Sequence, residues 1–253
     1  MFDGDAGESL GKSVTGTPGG RYYCRVQSRD RAGNVSAWTD DTDGISVVNH
    51  PGIAIAAAKA LAVDDSAGLA SRVVSAVFAD HFYAQELDRT SGIMVVPSGG
   101  VPSGLAVGSL VDVGGPVRSD ASFVRWIDGT VSVVPGSAVI RPLALTNVAL
   151  GGGDWAYGLI TTGGQRGVTG GRGLNNIGLF VRTVGEVTAV RSDGFDIDDG
   201  SGVGVRVVVP TGAQIPSIGS FVIVDGVSSC YVSGAEVKRM LIVGDAAGVR
   251  IVE

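Results

Sequence analysis

The sequence predicts an all-β protein that contains two related small β-barrels, and three observations support this prediction. Glycine supplies 41 of the 253 residues, and only 17% of the residues are charged. Hydrophobic residues make up 44% of the chain and are dominated by valine, alanine and isoleucine. Such a composition favours many short strands joined by tight turns, because glycine adopts the positive φ that these turns require. The third observation is an internal repeat, which divides the chain between two compact domains.

The N-terminal segment, residues 1–50, carries a hairpin pattern that differs from the rest of the chain. Residues 19–48 read GGRYYCRVQSRDRAGNVSAWTDDTDGISVV, with two strand-like runs on either side of Ala32-Gly33-Asn34. Gly and Asn both tolerate the left-handed backbone of such turns. The stretch resembles the last hairpin of a fibronectin type III domain, and its matching aromatic residues are Tyr22, Tyr23 and Trp38.

That resemblance implies an incomplete domain, because a type III sandwich needs about seven strands. An isolated two-stranded hairpin exposes one apolar face and open edges. The segment therefore either folds back on its own barrels or completes a partner subunit by strand addition. The resemblance also implies an extracellular setting.

A linker is predicted at residues 51–64, between this hairpin and the first barrel. Residues 53–71 form either one short helix or a plain linker, since their periodicity favours neither. The apolar run from Ile53 to Val63 is too short to span a bilayer and is interrupted by Lys59. We therefore expect no membrane-spanning segment.

Two copies of one strand pattern follow, at residues 65–145 and 178–253. The first contains VVSAVFADHFYAQELDRTSGIMV and the second VGEVTAVRSDGFDIDDGSGVGVRV. Each has an alternating apolar strand, a turn, an aromatic-led strand, an acidic turn that ends in Ser-Gly, and a third apolar strand. Two copies of one fold explain this recurrence most economically.

The repeated pattern resembles bacterial OB-fold modules, which are five-stranded Greek-key barrels. The second copy carries the acidic turn DDGSGVGV at 198–205 and the later element GSFVIVDG at 219–226. The first copy keeps the frame but reads LDRTSG at 87–92. The resemblance implies two OB-like barrels in tandem and specifies a fold rather than a ligand.

The stretch between the copies, residues 146–177, is a glycine-rich connector. A structureless loop of this length is uncommon inside compact folds. Trp155 and Tyr157 give it apolar surface to bury, so we expect an ordered connector that wraps the barrels and contributes to their interface. Its glycine run at 163–173 lacks the following helix that a phosphate-binding loop requires.

No catalytic constellation is visible, so we predict that the protein is not an enzyme and needs no cofactor. His50 precedes a proline and His81 lies in a predicted turn, and neither has the partners of a catalytic base. Asp196, Asp198 and Asp199 either form a hairpin turn or bind calcium, but their spacing does not match a calcium loop. No metal site is therefore assigned.

Charge and cysteine content limit the partners. A net charge of −6 and a pI near 4.9 argue against a nucleic-acid binder, which normally presents a basic face.

Cys24 and Cys230 form a disulfide within the chain, a disulfide between chains, or two separate thiols. Their spacing does not choose between these alternatives.

Aromatic and basic residues on the second and third strands define a candidate ligand face, since OB-folds bind ligands there. The alternative is that the same aromatic residues form the barrel cores. The candidate residues are Phe82, Tyr83, Trp126, Phe195 and Arg206.

The sequence therefore predicts a non-catalytic structural protein, extracellular or at the cell surface, that assembles with copies of itself into a homo-oligomer or filament. The N-terminal segment would dock on a neighbouring copy. The alternative is a secreted OB-fold accessory module that binds carbohydrate, with a polysaccharide as partner, or nucleic acid. The candidate assembly contacts are Tyr22, Tyr23, Trp38, Trp155 and Tyr157.

Overall fold

A computed structural model describes residues 35–37, 52–158 and 163–252 of the protein. The chain divides into two units, Met1–His50 and Pro51–Glu253. Tyr22, Tyr23, Cys24 and Trp38 lie outside the described residues, so the fibronectin-like hairpin and its contacts remain predictions.

Strands dominate the second unit, and the predicted all-β class is confirmed. Within residues 53–71, for which the sequence left a short helix and a plain linker as alternatives, one short helix, α1, spans Ile55–Ala60. In the described residues no helix has both the length and the apolar character needed to cross a membrane. The strands are β1 Ser66–Val77, β2 Phe82–Gln85, β3 Gly92–Pro97, β4 Ser109–Ser119, β5 Arg125–Ser137, β6 Leu143–Ala144, β7 Phe180–Arg191, β8 Gly194–Asp198, β9 Val205–Val208, β10 Phe221–Ser233, β11 Glu236–Ile242 and β12 Val249–Val252. Two short 3₁₀ turns lie at Asn147–Ala149 and Ala246–Gly248.

The first five strands close into a barrel in the order β1-β2-β3-β5-β4. All neighbours are antiparallel except β3 and β5, which run parallel. This closed barrel is consistent with an OB-like fold. Alternate residues of β4 point inward, and Val111, Val113 and Val117 lie in the core with Phe82 and Ile127.

The remaining strands form a seven-stranded sheet in the order β12-β10-β11-β9-β8-β7-β6, in which β10 also pairs with β7. Its β9 and β11 are parallel, as are β3 and β5 in the barrel. Its own core is separate and contains Phe195, Ile197, Val222, Val224 and Leu241.

A buried junction joins the barrel to the seven-stranded sheet. The Oε1 atom of Gln85 accepts a hydrogen bond of 3.1 Å from the backbone amide of Phe180, and Gln85 is only 1% exposed. Tyr83 and Ala76 of the barrel pack with Val227 of the sheet in one small cluster. The two strand systems are thus connected by both polar and apolar contacts.

The described part of the connector packs against both strand systems. Trp155 and Gln165 exchange two backbone hydrogen bonds of 2.8 Å, so the chain folds back on itself. The buried amide of Gln165 donates to the Phe123 carbonyl at 2.7 Å and accepts from the Arg125 amide at 3.2 Å. Val168 and Ile177 fill a cluster with residues of the barrel region and of the sheet, namely Val124, Cys230 and Val237.

Candidate binding groove

The predicted ligand face is divided between the core and the surface. Phe82 and Phe195 are fully buried in the two cores, and Tyr83 is 2% exposed at the junction. These three aromatic rings therefore form the barrel cores and the junction, as the alternative interpretation of the sequence had it. They are not accessible to a ligand. Trp126 is half-buried on β5, and Arg206 lies on the outer face of β9.

A polar groove of about 450 Å³ contains Arg206 and runs across β8, β9 and β11 to the end of β10. Strand alternation builds it. On β8, Phe195 and Ile197 point into the core, so Asp196 between them points outward. In the register of β8 and β9, Asp196 is the cross-strand neighbour of Arg206. The other side chains that define this groove are Arg191, Tyr231, Lys238 and Arg239.

Two ion pairs organise the floor of the groove. The Nε and Nη2 atoms of Arg191 donate to the two carboxylate oxygens of Asp196 at 2.8 and 2.5 Å. This two-point contact raises the pKa of Arg191 above its ordinary value. Arg206 donates to Asp193 at 2.6 Å, and its guanidinium lies 5.3 Å from the centre of the Tyr231 ring. The ion pairs and the stacked ring hold these side chains in position.

Two further basic residues, Arg239 and Lys238, line the groove. Arg239 donates from Nη2 to the Val148 carbonyl at 3.1 Å, and burial lowers its pKa. The Nε atoms of Arg206 and Arg239 are buried and have no hydrogen-bond partner among the described residues, so they offer no contact to a ligand in the groove. The Nζ atom of Lys238 lies 3.4 Å from Oε2 of Glu236, so the two form an ion pair. Most basic side chains of the groove are therefore paired with a carboxylate. The groove offers these pairs as hydrogen-bonding groups and has no strong positive field.

This charge balance indicates the kind of ligand that the groove suits. A polyanion gains affinity mainly from unpaired cations that replace its counterions. A neutral polyhydroxylated molecule instead uses donors and acceptors side by side, and an aromatic face to pack against. The Arg191–Asp196 pair and Tyr231 provide these features.

The acidic turn beside the groove is built by its own backbone. Asp198 accepts from the amides of Gly200 and Gly202 at 2.8 and 3.1 Å. Asp199 accepts from the Ser201 amide at 3.2 Å and from the Asn147 amide at 2.8 Å. These contacts favour the turn interpretation over calcium, and no cluster of three or more potential metal ligands occurs in the described parts of the chain.

Other predicted residues lie apart from the groove. The indole Nε1 of Trp155 donates to the Ala56 carbonyl at 2.7 Å, which ties the connector to α1. Tyr157 is 40% exposed and packs edge-on against Phe123 with ring centres 6.0 Å apart. His81 lies in the turn after β1, with Nδ1 2.7 Å from an Asp80 carboxylate oxygen.

Cys230 is a buried free thiol that donates a hydrogen bond of 3.2 Å to the Ser122 carbonyl. Burial raises its pKa to about 12, so it is a poor nucleophile at neutral pH. Cys24, the other cysteine of the possible disulfide, lies outside the described residues, so a disulfide between the two, within the chain or between chains, stays untested.

Sequence reasoning missed Arg191, Tyr231, Lys238 and Arg239. The signal for two of them was the hairpin YVSGAEVK, in which Tyr231 and Lys238 are direct cross-strand neighbours. Arg191 could not be found in this way, because its position over Asp196 depends on the bulge between Val187 and Ala189.

Comparison with known proteins found no matching family model, no matching curated protein and no matching solved structure.

Proposed function

We propose that this chain is a non-catalytic extracellular structural protein that assembles with copies of itself, with residues 1–50 docking on a neighbouring copy. The observation that carries this proposal is the edge strand β12. It forms one end of the seven-stranded sheet, and no other described strand pairs with its outer edge. An unpaired edge presents a row of free backbone donors and acceptors, which another strand can pair with.

Apolar exposure at this edge supports the proposal. Ile251 is 51% exposed, Val252 is 44% exposed, and Phe221, the cross-strand neighbour of Val252, is 45% exposed. We call these three residues the β12 surface. Val184 on β7 is also 39% exposed and pairs with Ile223 of β10. Strand alternation places Phe221, Val252 and Val184 on one face of the sheet and Ile251 on the other. Apolar exposure beside an open edge is typical of an interface.

The scaffold in this proposal consists of two OB-like barrels in tandem. The pairing order β7-β8-β9-β11-β10, with β10 returning to β7, repeats the order of the closed barrel. The parallel β9–β11 pair corresponds to β3–β5. This correspondence supports a second OB-like barrel to which β6 and β12 are added.

The test is the oligomeric state of the full chain, measured by light scattering over a range of concentrations and by electron microscopy. We expect concentration-dependent assemblies that Ile251→Lys weakens, because a lysine on this edge resists strand pairing. Val139→Lys is the matched control, since Val139 is 85% exposed and does not belong to β12. Deletion of residues 1–50 should abolish assembly, and a chain that stays monomeric at every concentration contradicts the proposal.

The groove favours a second candidate function, an accessory module that binds carbohydrate. Calorimetric titration with neutral oligosaccharides and with single-stranded oligonucleotides separates the two ligand classes. Glycan binding that Tyr231→Ala reduces about tenfold, corresponding to ~1.4 kcal/mol, would support this candidate. Tyr157→Ala is the control, because Tyr157 is an exposed tyrosine outside the groove. Absence of heat with every oligosaccharide would exclude it.

A further inference from the structure

A fully buried lysine lies where α1, the connector and the barrel meet. Lys59 occupies the last turn of α1 and is only 2% exposed. Its Nζ atom donates to the Ile177 carbonyl at 2.5 Å and to Oδ1 of Asn175 at 3.5 Å. The Asn175 oxygen is fixed in that orientation, because its Nδ2 donates to the Gly153 carbonyl at 2.9 Å.

No carboxylate of the described residues forms an ion pair with this ammonium group. The charged and titratable groups that act on it are Cys230 of β10 and Arg125 of β5. Cys230 is a neutral thiol near pH 7, because burial raises its pKa to about 12. Arg125 adds a second positive charge. Burial of an unpaired charge is costly unless a counterion or hydrogen bonds compensate for it.

A cavity of about 150 Å³ adjoins Lys59. Its polar lining comes from Asn175 of the connector and from Thr90 and Ser91, which precede β3. The Thr90 hydroxyl donates to the exposed Asp88 at 2.7 Å. Ser91 is 4% exposed and lines the cavity. An ammonium group has three donors, and two of those of Lys59 are already used.

We propose that Lys59 and Ser91 form a binding site for one small monovalent anion, of the size of chloride or formate. The anion would compensate the buried charge of Lys59 and accept a hydrogen bond from the Ser91 hydroxyl. Because α1 and the connector both contribute to the cavity, the bound anion would stabilise their contact. The site is separate from the groove and from β12.

Thermal unfolding of the full chain tests the proposal, in sodium chloride and in sodium gluconate at equal ionic strength. Gluconate is the control anion because it is too large and too hydrated for the cavity. At pH 6 we expect chloride to raise Tm by about 2–4 °C over gluconate, since a ligand of the native state stabilises it. At pH 9 the difference should vanish, because burial lowers the pKa of Lys59 to about 7 and the amine is then neutral.

Variants identify the residues responsible. Lys59→Met should remove the chloride effect, and Ser91→Ala should reduce it, while Arg141→Met is the control for loss of an exposed cationic side chain. The ³⁵Cl line width of a chloride solution should broaden with the wild-type protein and not with Lys59→Met. Equal Tm values in the two salts at pH 6, or a chloride effect that survives in Lys59→Met, would overturn the proposal. If Lys59→Met does not fold, an undiminished chloride effect in Ser91→Ala would overturn it.

Discussion

The backbones of Gly92 and Gly178 approach so closely that neither residue has room for a side chain. A Cβ atom on Gly92 would lie 2.2 Å from the carbonyl oxygen of Gly178, and one on Gly178 would lie 2.5 Å from that of Gly92. Gly178 also has a φ of +90°, which favours glycine. The start of β3 is thereby packed directly against the segment that leads into β7.

This contact makes Gly92→Ala destabilising. The obstruction is backbone, which cannot move aside as a flexible side chain can, so the free energy of unfolding should fall by about 1–3 kcal/mol. Gly99→Ala is the control, because a Cβ there meets nothing within 4 Å. Urea unfolding monitored by tryptophan fluorescence measures both variants. Equal midpoints for the two would show that the close approach is not required.

The connector should depend on the side chain of Gln165. Gln165→Ala leaves the Phe123 carbonyl and the Arg125 amide without their side-chain partner in a buried setting. Each such group costs about 1–3 kcal/mol, so we expect a clear loss of stability, measured by urea unfolding. Gln214→Ala, at an exposed glutamine, should leave the midpoint unchanged. Faster proteolysis within residues 146–177 of the Gln165 variant would locate the loss in the connector.

Stability should rise with pH just above neutrality because of Lys59. Burial lowers its pKa from 10.5 to about 7, so between these values the unfolded chain binds more protons than the native chain. The penalty is therefore complete below pH 7 and is relieved as the pH rises. In gluconate buffer we expect a gain of about 2 kcal/mol between pH 7 and 9. Lys59→Met should lack this gain, and a wild-type protein with no gain would contradict the assigned burial.

Cys230 should impose the opposite trend at higher pH. Burial raises the pKa of its thiol from 9.0 to about 12, so the unfolded chain loses its proton first. Stability from this group is complete below pH 9 and declines as the pH rises towards 12. Cys230→Ala should flatten that decline in chemical unfolding experiments between pH 9 and 11. In native protein at pH 8, Cys230 should also resist a thiol reagent until denaturant is added, whereas rapid labelling would contradict its burial.

The sequence predicts the strand pattern well because alternation is a local property. Phe195 and Ile197 flank Asp196, and this order alone places the aspartate on the outer face of its strand. The candidate ligand face was less predictable, since an aromatic residue in a barrel strand points either into the core or into solvent. Phe82 and Phe195 fill the cores, so the groove depends on Arg191 and Tyr231 instead.

By itself, the sequence determined an all-β protein with two repeated strand patterns and a glycine-rich connector, because turn chemistry and side-chain alternation act over a few residues. Only the tertiary structure decided which strands pair across long distances, such as the parallel β3 and β5. It also decided that Lys59 is buried against Ile177, which lies far along the chain. Such contacts depend on how the barrel, connector and sheet pack together, and the burial that follows sets the charge state and exposure of each group.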